Sequence, residues 1–231
     1  MAASYSIRLA AWAGWIAFIG IVASFIVIPM AIAGQPPTSA TGPAAAMAYF
    51  RHPEFALING LIGMFVGVVA FLPFGWGLRA IVRSVEDARS RTLGDLAFAF
   101  LVVALPVYVV SGSFGAMLVD ASTRDPQVFT TLFRWYDVLY NGAADVLEGA
   151  WIGAFSIAML GGSLPRWLAW LGIAVGASRW IKALAPFASM PDAVAQVSGV
   201  LFAAWFLLTV VAVTRYAMRP PTAMDSRPVP A

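Results

Sequence analysis

Residues 133 to 162, FRWYDVLYNGAADVLEGAWIGAFSIAMLGG, place charged side chains inside a strongly apolar sequence. At about 100° per helical residue, five polar residues of this segment fall on one helix face, within an arc of about 80°. They are Arg134, Asp137, Asn141, Asp145 and Glu148. Ionisable groups at membrane depth cost about 3 kcal/mol each on insertion scales. This face is therefore expected to line a bundle interior or a wet cavity rather than to face lipid.

The composition of the whole chain is that of a polytopic membrane protein. Of its 231 residues, 61% are hydrophobic and only 11% are charged, which is too apolar for a soluble domain. The formal charge of +3 does not indicate nucleic-acid binding, because the arginines lie at the ends of apolar runs. We therefore predict an all-α bundle in a lipid bilayer, with no nucleic-acid partner.

Several classes of chemistry are excluded by residue content. The chain has no Cys and one His, His52, so disulfides, thiolate nucleophiles and His-based metal clusters are excluded. Ser-His-Asp and Cys-His catalysis lack suitable partners. Nucleotide-binding glycine patterns are absent, since the glycines lie within apolar spans. No metal and no cofactor are expected.

Apolar runs long enough to cross about 30 Å of hydrocarbon divide the chain into six predicted spans. Their approximate bounds are 9–33, 55–82, 96–119, 134–160, 167–186 and 193–216. A signal peptide is the alternative for the first run, because Ala31-Ile32-Ala33 resembles a cleavage site, but the run is too long for one. One membrane domain, 1–218, would then be followed by a disordered cytoplasmic tail, 219–231.

The distribution of basic residues predicts that both termini are cytoplasmic. Nine of the 14 basic residues fall on the side of the termini, and the densest cluster lies between Arg79 and Arg91. A composition rich in Ala and Arg is typical of GC-rich bacterial genomes, so the expected location is a bacterial inner membrane, multi-pass. The oligomeric state is left open.

Two predicted spans carry charges at overlapping depth. Counted at 1.5 Å per residue, Asp137 and Asp145 lie about 5 and 16 Å beyond Arg134, and Lys182 and Arg179 lie about 6 and 10 Å before Pro186. Consecutive antiparallel spans usually pack side by side. Asp137, and also Asp145, are therefore the expected partners of Arg179 and Lys182, and Glu148 is left without a cation.

Two interpretations of these charges are open. Arg134, Asp137, Arg179 and Lys182 can form a structural ion network between the two spans. Alternatively, polar residues of several spans line a cavity that binds a ligand. The candidate ligand-binding residues are Asn59, Ser111, Ser113, Asp137, Asn141, Asp145, Glu148, Arg179 and Lys182.

Residues Leu164 to Gly176, LPRWLAWLGIAVG, follow the acid-bearing span. This string resembles the motif of an uncharacterised family of bacterial six-span membrane proteins, a domain-of-unknown-function family. Its members usually have Gly where Ala169 stands here. The resemblance implies the six-span architecture and carries no activity with it.

Three functions are compatible with the sequence. The first is a membrane protein that binds or moves a small molecule or lipid through a polar site on the fourth span. The second is an intramembrane enzyme, similar to a terpene cyclase, with Glu148 or Asp145 as a general acid. The third is a structural or assembly subunit. A cavity that reaches Glu148 favours the first two, and a closed bundle favours the third.

Overall fold

A computed structural model describes residues 2–23, 27–34, 36–54, 69–188 and 190–218. Within these residues the fold is all-α, as predicted. The helices are α1 (Ala2–Val22), α2 (Ile28–Ile32), α3 (Pro43–Phe50), α4 (Val69–Arg83), α5 (Ala88–Arg124), α6 (Pro126–Asp137), a π-helix (Val138–Ala144), α7 (Asp145–Met159), α8 (Arg166–Lys182) and α9 (Asp192–Ala217).

Three helices of the described chain are long and apolar enough to cross a membrane: Tyr5–Val22, Ala88–Arg124 and Asp192–Ala217. They lie in the predicted first, third and sixth spans. The predicted second span ends in α4, and its first part, with Asn59, lies outside the described residues. The fourth span corresponds to the π-helix and α7, and the fifth to α8 with the turns after it. The predicted tail also lies outside the described residues.

The polar turns gather at two opposite ends of the bundle. At one end, the Oγ of Ser84 lies 3.3 Å from the hydroxyl of Tyr216, next to the last turn of α9. Ser90, at the start of α5, lies against the turn that follows α7 at Gly161. At the other end, Ser39 donates to Asp137. These contacts place the α4–α5 turn, the turn after α7 and the end of α9 at one end, and segment 36–41 and the end of α6 at the other.

The main core is aromatic and lies between α1, α4, α7 and α9. The rings of Phe71 and Phe206 stack with centroids 5.1 Å apart, and Trp151 packs edge-on against Phe71 at 5.8 Å. Trp151, Trp205 and Phe206 are almost fully buried. Because each such side chain removes 150 to 250 Å² from solvent or lipid, these rings supply much of the packing energy beneath the site.

A second, smaller core lies where α3 packs on the end of α5 and on α6. Phe50 contacts Phe129 and Tyr136, with centroids 6.1 and 5.8 Å away. Helix α5 has 37 residues and is about 55 Å long at 1.5 Å per residue, which exceeds the hydrocarbon thickness of about 30 Å. The α5–α6 hairpin and α3 can therefore form a cap outside the apolar layer.

The π-helix corrects the prediction of one continuous polar face. A π-turn inserts an extra residue into the helix and rotates everything after it relative to what precedes. Arg134, before the insertion, is exposed, whereas Asn141, Asp145 and Glu148 are buried. Arg134 therefore does not share the buried face, and the prediction that it belongs to an ion network with Arg179 is wrong.

Candidate functional site

Two acids and two bases meet where the first turn of α7 crosses the last turn of α8. Nη1 of Arg179 lies 3.2 Å from Oδ1 of Asp145, and its Nε lies 3.5 Å from Oε2 of Glu148. Nζ of Lys182 lies 2.8 Å from Oδ2 of Asp145. Because Asp145 and Glu148 are three residues apart on a helix, both face the same arginine. We call these four residues the ion cluster.

The geometry of the ion cluster corrects two pairings expected from depth alone. Asp137 does not pair with Arg179. Instead it accepts hydrogen bonds from Oγ of Ser39 at 2.8 Å and from Nδ2 of Asn141 at 2.7 Å. The expectation that Glu148 lacks a cation is also wrong, since Arg179 reaches both carboxylates. The other partner expected from depth, Asp145, does pair with both Arg179 and Lys182.

The ion cluster is buried. Asp145 is 3%, Glu148 8% and Arg179 7% exposed. The guanidinium of Arg179 also lies 4.6 Å from the ring centroid of Phe202, a cation–π contact that strengthens when the cation is desolvated. With two carboxylates and two cations the cluster is formally neutral, which is the condition under which such charges are tolerated in a low-dielectric interior.

Two polar atoms of the ion cluster lie near an opposite charge without an aligned hydrogen bond. Oδ2 of Asp145 and Nε of Arg179 make no hydrogen bond of good geometry, although each lies within ion-pair distance of an opposite charge. Arg179 and Asp145 are joined by a hydrogen bond at 3.2 Å. Buried polar atoms normally have aligned partners. These two atoms, one acceptor and one donor, therefore remain available for hydrogen bonds with a further molecule.

A cavity of about 650 Å³ reaches the ion cluster. This volume is in the range of small-molecule sites, about 300 to 1,000 Å³. Its polar end is formed by the ion cluster with Asn141, Tyr108 and Tyr140. Its apolar walls come from α1, α4 and α9 and include Phe18, Ile21, Val22, Phe71, Phe202 and Phe206. The cavity is thus charged at one side and aromatic or aliphatic along the other.

The segment 36–41 borders the cavity on the side away from the α7–α8 turn. Thr38 donates from its Oγ1 to Oδ1 of Asp192, at the start of α9, and Ser39 binds Asp137. Thr38, Ser39 and Asp192 line the cavity. These contacts join residues that are 98 and 154 positions apart, so no local pattern in the sequence could have identified them.

The candidate residues divide into those that line the cavity and those that do not. Asn141, Asp145, Glu148, Arg179 and Lys182 line it. Ser111 is buried but donates to the carbonyl of Val107, and Ser113 is exposed and donates to that of Val109. Neither serine is among the lining residues, and nor is Asp137.

Sequence reasoning missed Tyr108 and Asp192. Tyr108 is on α5 and reaches the cavity beside Glu148. In the sequence, a lone tyrosine in an apolar span is more typical of a residue that packs against other helices. Asp192 follows Pro191 at the start of α9. An acidic residue in the first turn of a helix is explained by the helix dipole alone, so it did not indicate a ligand site. In both cases the missing signal is tertiary.

The described residues contain no group of three or more His, Cys, Asp and Glu side chains that could hold a metal ion. What they offer is a polar end with carboxylates, cations and an amide, joined to an apolar wall. A site of this kind binds a molecule that has one polar and one apolar part.

The chain matches no protein-family model, no curated protein sequence and no solved structure.

Proposed function

We propose that this chain is a six-span integral membrane protein of a bacterial inner membrane that binds or moves a small amphipathic molecule or lipid. The observation that carries the proposal is the cavity of about 650 Å³ that extends from the buried ion cluster to the apolar side chains of α1 and α9. A closed bundle would need no such space, since protein interiors pack with few voids larger than a water molecule.

The antiparallel packing of α7 and α8 supports two separate spans there, since Asp145 meets Arg179 near one end and Ser156 lies against Gly172 further along. The distribution of basic residues supports placing both termini in the cytoplasm. The motif Leu164 to Gly176 supports placing the chain in the uncharacterised six-span family. In this orientation the cavity lies in the extracytoplasmic half, on the side of segment 36–41.

Single cysteines test the orientation, because the native chain has no Cys. Ala40 and Ala88 form a matched pair, since both are exposed and lie at opposite ends of the bundle. With an impermeant thiol reagent on intact cells, Ala40→Cys should be labelled, and Ala88→Cys should be labelled only after lysis. The reverse pattern would overturn the orientation.

A second experiment tests whether the cavity binds ligand at all. Gly199 lines the cavity on α9, and a Cβ there meets nothing within 4 Å. Gly199→Phe should therefore fill the space without a clash in the backbone. The matched control is Gly153→Phe on α7, where a Cβ also meets open space but which is not a cavity residue.

Decanol serves as the neutral probe, with adducts to the purified protein counted by native mass spectrometry. We expect saturable binding to the parent protein and to Gly153→Phe, and loss of about tenfold or more in affinity for Gly199→Phe. Equal binding to all three proteins would mean that decanol coats the surface and that the cavity is not a binding site.

The two other functions find less support. Asp145 lies within ion-pair distance of both Arg179 and Lys182, and opposite charges at this distance favour the ionised carboxylate. It is therefore poorly placed as the general acid of a terpene-cyclase-like enzyme. A purely structural subunit would account for the ion pairs but not for the cavity beside them.

A further inference from the structure

We propose that the ligand of this cavity is an amphipathic organic cation, with its ammonium group at the polar end beside Glu148 and its apolar chain against Phe206 and the wall of α1. This inference rests on the proposed function, and it names the chemical class of the ligand. Three observations point to it: the balance of charge around the cavity, the aromatic rings beside the acids, and the single cation that Glu148 has among the described residues.

The charges that line the cavity do not cancel. Its lining acids are Asp145, Glu148 and Asp192, and its lining bases are Arg179 and Lys182. Three acids against two bases leave one formal negative charge among the described lining residues. Asp192 is exposed at the cavity border and is held by a hydroxyl, that of Thr38, rather than by a cation. A potential of this sign attracts cationic ligands and repels anionic ones.

Aromatic rings extend from the ion cluster into the apolar part of the cavity. Phe202 lies under Arg179 and stacks near Phe206, with centroids 5.7 Å apart. Phe206 in turn contacts Phe71 at 5.1 Å and Phe18 at 5.9 Å. The faces of such rings attract ammonium groups, and quaternary ammonium ligands are recognised in this way. The same rings then offer an apolar path for the remainder of the molecule.

Glu148 is the acid of the cluster with room for another cation. Among the described residues, Asp145 lies within ion-pair distance of two cations, at 3.2 and 2.8 Å, whereas Glu148 lies within that distance of one, Nε of Arg179 at 3.5 Å. Glu148 is also hydrogen-bonded to the hydroxyl of Tyr108, which carries no charge. Its carboxylate faces the cavity. An ammonium group beside Glu148 would gain a charge-assisted contact without breaking the pair between Asp145 and Lys182.

Other head groups fit less well. A carboxylate or phosphate would meet Asp145, Glu148 and Asp192 as like charges, and the two lining cations are already paired with Asp145. An uncharged hydroxyl would gain nothing from the negative excess. The cationic head is therefore the chemistry that the lining residues recognise best.

The test compares three probes that share a decyl chain and differ in the head: decyltrimethylammonium, decanol and decanoate. Dissociation constants are measured by native mass spectrometry on the parent chain, on Gly199→Phe, which fills the cavity, and on Gly153→Phe, the control outside the cavity. We expect decyltrimethylammonium to bind about tenfold more tightly than decanol, and decanoate to bind most weakly. A quaternary ammonium keeps its charge at every pH, so its own titration does not complicate the comparison.

Charge-neutral variants then locate the head group. Glu148→Gln should weaken decyltrimethylammonium about tenfold and leave decanol unchanged, because the amide keeps the shape and removes the charge. Asp192→Asn, at the exposed border, should weaken it about threefold, because its charge is better screened. Should Glu148→Gln fail to fold, the Asp192→Asn result still decides whether lining charge matters.

The outcomes separate this inference from the proposed function. If Gly199→Phe weakens the binding of none of the three probes, the cavity is not a binding site and the proposed function fails. If decanol or decanoate binds through the cavity as tightly as the cation, the proposed function stands and the cationic ligand is wrong. If neither Glu148→Gln nor Asp192→Asn weakens the cation, the inference is also wrong.

An ammonium group can come from a lipid head or from a free amine. Competition in nanodiscs distinguishes them. Phosphatidylethanolamine discs should reduce decyltrimethylammonium binding relative to discs of an uncharged galactolipid if the ammonium end of the lipid head enters the site. Equal binding in both kinds of disc would identify the free amine as the source, with the same recognition chemistry.

Discussion

The crossing of α7 with α8 has two halves of opposite character. In one half the backbones touch: a Cβ on Gly176 would lie 2.9 Å from the carbonyl oxygen of Gly149 and 3.2 Å from the backbone of Gly153. A turn further on, a Cβ on Gly172 would overlap Oγ of Ser156. In the other half Asp145 and Glu148 meet Arg179 beside the cavity.

The comparison shows that the ion cluster depends on the close packing of α7 against α8. Small residues let two helices approach closely where no side chain separates them, which fixes their crossing. The charged side chains can then meet at a defined place one turn away. The close half, with the glycine contacts, fixes where the charged side chains meet. The polar half, with the ion cluster, borders the cavity that a ligand can occupy.

The largest expected effect is at Arg179. Arg179→Leu removes the cation shared by two buried carboxylates, and breaking a buried pair costs about 3 to 5 kcal/mol. Arg179→Leu combined with Asp145→Leu should recover part of this loss, since Glu148 and Lys182 then remain as one acid and one base. Unfolding free energies from SDS titration in mixed micelles measure both. Strict additivity with Asp145→Leu would contradict the coupling.

The second effect concerns the close half. Gly176→Ala should destabilise by about 1 to 3 kcal/mol, because its Cβ meets backbone atoms that cannot move aside. Gly153→Ala is the matched control, where a Cβ meets nothing within 4 Å and helix propensity favours Ala by about 1 kcal/mol. In the same titration, the free energy of unfolding should fall for Gly176→Ala and rise for Gly153→Ala. Loss of stability in both variants would show that the close backbone contact at Gly176 is not the cause of the effect.

A smaller effect is expected at Lys182, at the edge of the ion cluster. Lys182→Met removes one of the two cations of Asp145 and leaves Arg179 in place, so the loss should be about 1 to 2 kcal/mol. Lys182→Arg, which keeps the charge, should lose less. Melting temperatures in detergent compare the two. A loss at Lys182→Met equal to that at Arg179→Leu would mean that the cluster is not centred on Arg179.

The smallest effect is at Asp87, a polar contact outside the apolar spans. Its carboxylate accepts from Oγ of Ser90 and from the backbone N–H groups of Ser90 and Arg89 at the start of α5. The Ser90 hydroxyl, followed by the backbone N–H of Ser90, holds the pKa of Asp87 below its ordinary value. The stability this contributes is present above the unfolded-state pKa and is lost as the pH falls through the lower folded-state pKa.

Asp87→Asn removes this titration and keeps an N-cap residue. The difference in melting temperature between parent and Asp87→Asn should therefore shrink as the pH falls below about 5. A difference that stays constant down to the acid limit of the fold would show that the cap does not titrate. This provides a solvent-exposed reference for the buried contacts of the α7–α8 crossing.

The positions of the site residues could be predicted only in part. Asp145, Glu148, Arg179 and Lys182 were identifiable because charges in apolar runs are costly and must find partners. The identity of each partner was not, since Asp137 accepts from the distant Ser39 and Arg179 reaches both Asp145 and Glu148, and the segment between Asp137 and Asp145 is a π-helix, Val138–Ala144. Nothing in the residues of that segment marks a π-helix rather than an α-helix.

The class of protein could be read from the sequence: an all-α chain whose apolar runs suit a membrane and whose charges within those runs are expected to lie inside the bundle. Hydrophobic content and charge spacing are local properties, so they can be read without knowing the fold. Only the tertiary structure decided that Glu148 shares Arg179, that Asp137 binds Ser39, and that Phe202 and Phe206 complete the cavity. These contacts join distant parts of the chain, and their geometry depends on how closely α7 and α8 approach at Gly149 and Gly176.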